Sequence, residues 1–199
     1  MSVKDRFKEA LMATGRAGSD KVFAGLEELG FFEAPASTRF HGAHPGGLAE
    51  HSLNVYTEAM VLRDLQIRMR PELEPRLPKD SVAIASLLHD VCKAEVYQKI
   101  EKFRKDAAGK WEKYETYGVD YSNLPLGHGE KSVIRLLRLG LEMTEDEMLA
   151  IRWHMQGFDL ADSPEARGNY GAACEKCPLV GLVMSADMLA SHLLESTLS

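Results

Sequence analysis

The sequence reads as an all-α chain carrying one small β-hairpin, and three observations point there. Apolar residues recur at helical spacing in segment after segment. Proline, glycine and capping residues cut the pattern into pieces of helix length. Only residues 97–117 change character, with aromatics interleaved among charges around a glycine turn. The length of 199 residues suits one domain with a substantial core. Hydrophobic residues make up 45% and charged residues 27%, an ordinary globular mix. No apolar run spans a bilayer and no signal-like leader opens the chain, so no membrane partner is expected. Three cysteines form no even framework, which points to a reducing cytoplasm. The net charge of −6 argues against holding nucleic acid through a global basic field, while a local basic patch stays open.

Residues 3–14 and 19–29 are two short amphipathic helices that cover the core. Val22, Phe23, Leu26 and Leu29 share a face in the second, and Gly30 fits its stop. Pro35, Pro45 and several glycines make residues 31–47 a loop, which carries His41 and His44 towards the next helix. That helix runs over about 48–70 and stops at Pro71. Leu48, His51, Val55 and Ala59 fall on one of its faces, so His51 lies on or beside the buried side. Residues 71–79 are a proline-rich connection, and Asp80 is the expected N-cap of a helix over 81–92. Val82, Ala85 and His89 share a face there. Asp90 follows immediately, and Lys93 lies one turn beyond His89.

The hairpin over 97–117 contains six basic residues between Lys99 and Lys113 against three acidic ones. Basic residues among aromatics suit phosphates and bases; the alternative is a solvated hairpin whose aromatics pack on the domain. Residues 124–129 form a loop holding His128 between two glycines, ahead of a helix over 130–140. Thr144 and Glu147 match a capping box that opens a helix over 145–155, with His154 on its Ala150/Ile151 face. Residues 156–173 read as a polar, glycine-rich loop. The last helix, about 178–197, is apolar nearly all round and therefore central. Its stripe of Val180, Val183, Met184, Ala190 and Leu194 is interrupted by Asp187, a carboxylate costly to bury without a partner.

The candidate metal ligands are thus His51, His89, Asp90, His128, His154 and Asp187, each at a helix end, on an apolar face or in a glycine loop. Imidazole and carboxylate are ligands for divalent first-row metals. The ordered set, H…HD…H…H…D, resembles the HD superfamily of metal-dependent phosphohydrolases. The segment His41 to Ser52 (HGAHPGGLAEHS), then Leu87-Leu88-His89-Asp90 and Lys93, is most similar to HD-type 3′-to-5′ exoribonucleases. The resemblance covers roughly residues 40–190 and implies an all-α HD-domain bundle: residues 1–40 covering helices and loop, 41–195 the metal-binding core with the hairpin inserted. It implies that His51, His89, Asp90 and Asp187 hold one ion, and that Asp90 bridges to a second held by His128 and His154. Those exoribonucleases carry an added oligonucleotide-binding barrel, for which this chain leaves no room. A Gly-Tyr-Pro motif of the cyclic-dinucleotide phosphodiesterases is also missing.

The expected activity is hydrolysis of a phosphate ester, mono- or diester, of a nucleotide or short oligonucleotide, with one or two divalent ions (Mn, Fe, Co, Ni, Zn or Mg) and a metal-activated water. Asp90 and Lys93 are the expected catalytic residues. Lys93 neutralises phosphate charge, and Arg39 and His44 orient the phosphate or protonate the leaving group. Two other readings stand beside this one. The fold could serve as a non-catalytic metal or nucleotide sensor. Alternatively, Cys174 and Cys177 could bind a structural zinc, although a lone C-x₂-C falls short of the usual four ligands.

Overall fold

The computed structural model describes residues 1–155 and 163–196. The Ser2 hydroxyl accepts from the Asp5 amide while the Asp5 carboxylate accepts from the Ser2 amide. This capping box opens α1 (Val3–Ala13). In α2 (Ser19–Glu28) the last turn closes at Leu29, and Gly30 leaves the helix with φ at 73°. Phe7 and Leu11 of α1 and Val22, Phe23 and Leu26 of α2 are buried, so both helices cover the core.

The loop that follows is folded tightly on itself. A Cβ on Gly47 would lie 2.1 Å from the Gly42 carbonyl oxygen, an approach only glycine allows. The contact tucks the His41 segment under the start of α3 (Gly47–Met69). Leu48, His51, Val55 and Ala59 of α3 are all fully buried, and the helix stops before Pro71 as the sequence requires. A 3₁₀ turn over Pro71–Arg76 leads to α4 (Lys79–Leu88).

α4 differs from the expected 81–92 at both ends. Asp80 is inside the first turn rather than capping it, and its carboxylate pairs with Arg16 at 2.7 Å. At the other end the carbonyl of Ser86 accepts from the ring of His89 at 2.8 Å, and the Cys92 amide donates to the Ser132 hydroxyl. Side chains have taken the groups that would continue the ladder, so the helix ends at Leu88. One turn, α5 (Lys93–Val96), then enters the hairpin of β1 (Tyr97–Lys105) and β2 (Trp111–Val119). The strands pair antiparallel from Tyr97 opposite Val119 to Lys105 opposite Trp111. The hairpin aromatics do not all pack on the domain, since Phe103 and Trp111 are 66% and 63% exposed. Two of its basic residues pair across the strands: Arg104 with Glu112 at 2.6 Å, and Lys113 with Glu101.

α6 (His128–Arg138) begins two residues earlier than expected, with Gly127 extended before it, so His128 is the first helical residue and not part of a loop. α7 (Glu145–Trp153) opens with the expected Thr144/Glu147 box. Of the expected loop over 156–173, residues 156–162 lie outside the described residues. The remainder belongs to α8 (Pro164–Lys176), started by the Ser163 hydroxyl accepting from the Ala166 amide with Pro164 in the first turn. α9 (Pro178–Leu189) is shorter than expected and passes into a wide π turn over Ala190–Leu194, where Leu194 is exposed. α3 packs on α1, α4 and α9, while α7 packs on α4, α6 and α9. The described residues are thus mostly helical with one two-stranded sheet among them. No single helix among the described residues is long and apolar enough to cross a membrane.

Candidate metal centre

α4 and α7 end in the same way. His89 caps α4 and His154 caps α7, both in helical conformation, and each ring Nδ1 donates to the carbonyl three residues back. The acceptors are Ser86 O at 2.8 Å and Ile151 O at 2.7 Å. A carbonyl only accepts, so Nδ1 carries the hydrogen and Nε2 is left to face inward. His51 comes from the second turn of α3, and its Nδ1 donates to Glu195. His128, at the start of α6, is set by Gly129, where a Cβ would lie 2.2 Å from the Arg152 carbonyl oxygen. One of the two flanking glycines has a packing reason: α6 needs Gly129 to lie against α7.

Asp90, 1% exposed, occupies the middle of these rings. Its Oδ2 lies 3.3 Å from His89 Nε2, 3.6 Å from His51 Nε2 and 2.6 Å from Lys93 Nζ. Its Oδ1 lies 2.6 Å from His128 Nε2 and 3.3 Å from His154 Nε2. Asp187 Oδ1 approaches His51 Nε2 at 3.3 Å. All six residues singled out in the sequence therefore converge, and Asp90 turns a different oxygen to each half of the set.

The electrostatics follow from packing charge into a dry place. Burial favours neutral Asp90, but Lys93, His89 and His128 outweigh it and hold the carboxyl well below its usual range. Burial likewise disfavours charged His51, yet its bonds to Asp187, Asp90 and Glu195 raise it well above an ordinary histidine. His128 is pushed up to about 10, burial being outweighed by Asp90. For His154 burial wins and lowers it.

The donor set fits a divalent cation. Ligands about 2.1 Å from one ion stand roughly 3.0–3.4 Å apart, and His51 Nε2 and His89 Nε2 are 3.2 Å apart. A divalent cation between them would engage both nitrogens, in place of the proton that His51 holds there. His154 Nε2 is buried near Asp90 Oδ1 without a hydrogen bond among the described residues, an orphaned atom that an ion would satisfy. Three groups among the described residues, His51–His89–Asp187, His89–Asp90–His154 and, on the outer side of His51, His41–His51–Glu195, have ligand atoms within 4.8 Å of one another. An ion on these atoms would displace the protons now held by the carboxylates' pull.

A cavity of about 750 Å³ opens beside the cluster, and Arg39, Lys93, His154, Asp187 and Glu195 contribute to its wall. Lys93 is buried against Asp90, not solvated. Arg39 reaches the cavity wall; His44 does not, being exposed and paired with Glu50 at 3.5 Å. The histidine of that loop that reaches the cluster is His41, whose ring stacks 4.9 Å from His51 and whose buried Nε2 has no hydrogen-bond partner among the described residues. Burial lowers its pKa to about 4. Cys174 and Cys177 stand at the α8–α9 junction; the Cys177 thiol donates to Asp146 O at 3.6 Å, and neither joins a metal-binding group among the described residues.

Sequence reasoning missed Glu195. Its signal was a polar series on an apolar helix, Asp187, Ser191 and Glu195 at i, i+4 and i+8. Comparison of the chain with protein-family models, with curated proteins and with solved structures gives no match.

Proposed function

We propose that the chain is a divalent-metal-dependent phosphohydrolase of the HD type, acting on the phosphate ester of a nucleotide or short oligonucleotide. The observation that carries this reading is Asp90, a buried carboxylate with one oxygen towards His51 and His89 and the other towards His128 and His154. Such an arrangement suits one carboxylate shared by two ions. The ordered motif and the HGAHPGGLAEHS segment support the same reading.

A divalent ion held by these residues supplies a Lewis acid for phosphate oxygen and a water acidic enough to attack phosphorus. The chain's own groups do the rest. Lys93 places a buried ammonium at the cavity wall, where it neutralises charge developing on the phosphate. Arg39, on the same wall, adds a second cation for the ester. The Nδ1 anchors on Ser86, Ile151 and Glu195 fix the rings before substrate arrives, so no reorientation is needed during the reaction. The cavity volume is of the size that small-molecule ligands fill.

The test is metal content by elemental analysis, together with a panel of phosphomonoesters, phosphodiesters and nucleoside triphosphates in the presence of Mn, Co or Ni. Bound metal with turnover that disappears in His89→Ala is the expected result. Metal bound without turnover of any member would leave the sensor reading in its place. Full turnover in a metal-depleted protein would overturn the mechanism.

A further inference from the structure

We propose that Glu195 is a positioning residue: it fixes the orientation and tautomer of the His51 ring and thereby sets how tightly the centre holds its ion. Both Glu195 oxygens lie 3.1 Å from His51 Nδ1, so the ring N–H points into the middle of the carboxylate. Asn54, three residues after His51 on α3, donates to Glu195 Oε1 at 2.9 Å and holds the carboxylate in register with the ring. α9 and the wide turn that ends it therefore grip His51 from both sides. Asp187 faces Nε2 at 3.3 Å while Glu195 faces Nδ1.

The other three imidazoles are tied differently. His89 and His154 donate to backbone carbonyls, and His128 Nδ1 meets the Cys92 thiol at 3.3 Å. Among the four, only His51 has a carboxylate behind it in these contacts. A carboxylate on the far nitrogen fixes the tautomer and makes the near nitrogen a stronger donor to a cation.

The affinity arm of this proposal rests on the metal reading above; the arm on ring orientation does not. The experiment compares the full chain with Glu195→Gln, which keeps an acceptor oxygen, and Glu195→Ala, which keeps none. Co²⁺ affinity is measured by chelator competition, and the ring nitrogens are followed by ¹⁵N correlation spectra of the metal-free protein. The expected loss in Co²⁺ affinity is about 10–100-fold for the alanine variant and smaller for the glutamine variant. His51 ring resonances should move in the alanine variant while those of His89 and His154 stay in place. Unchanged affinity and unchanged His51 resonances in the alanine variant would overturn the proposal. So would His89 and His154 resonances moving together with His51, because that marks a general structural role. A wild-type chain that binds no Co²⁺ would defeat the metal reading, yet the His51 resonances would still decide the role of Glu195.

Discussion

Each face of Asp90 meets two imidazoles, and the two faces differ in what surrounds those rings. On the Oδ2 face, His51 and His89 are fully buried, Asp187 brings a second carboxylate, and Glu195 stands behind His51. On the Oδ1 face, two imidazoles share only the carboxylate of Asp90, and the His128 side chain is 21% exposed. Asp187 and Glu195 leave the Oδ2 face with more negative charge even with the Lys93 ammonium 2.6 Å from Oδ2. That face should therefore hold a cation more firmly, and the Oδ1 face should hold a second, weaker and more exchangeable one.

Asp90→Ala strikes both faces and has the largest expected effect. All bound Mn or Co should be lost in elemental analysis, and hydrolysis should fall to background. If one equivalent of metal remained, the shared-carboxylate arrangement would be wrong. Asp187→Ala should remove the firmer ion, weakening it by more than the roughly 10–100-fold that loss of an outer-shell partner costs. His128→Ala should spare that ion and lose only the weaker one. Equal losses in these two variants, measured by calorimetric titration with Mn, would erase the distinction between the faces.

Gly129→Ala sharpens the contrast without touching a ligand. Its Cβ would stand 2.2 Å from the Arg152 carbonyl oxygen, so α6 must shift from α7. A loss of about 1–3 kcal/mol in urea unfolding is expected for such overpacking, with the weaker ion affected more than the firmer. Phe103→Ser with Trp111→Ser on the exposed hairpin should change stability by no more than about 0.5 kcal/mol and leave metal content intact. A change in metal content there would tie the hairpin to the centre.

How much of this was legible in the sequence differs by residue. His51, His89, Asp90, His128, His154 and Asp187 could be picked out because polar groups on apolar faces or at helix ends are conspicuous. Glu195 was hidden because an acidic residue near a helix end is ordinary, and only the turn after α9 brings it to His51. In the loop before α3 the sequence offers His41 and His44 alike. The tight approach of Gly42 and Gly47 puts His41 against His51 and leaves His44 outside. α8 was missed because its glycines suggested loop, although Ser163 and Pro164 formed a start signal that outweighs them.

The sequence by itself determined the helical character, the hairpin and the identity of six of the converging polar residues, because periodicity, caps and breakers act over a few neighbouring residues. The tertiary structure decided what those residues face: which oxygen of Asp90 each imidazole meets, which nitrogen is tied to a carbonyl or carboxylate, and which loop histidine enters the cavity. Those outcomes depend on distances between residues as far apart in the chain as His51 and Glu195, and local pattern has no access to them.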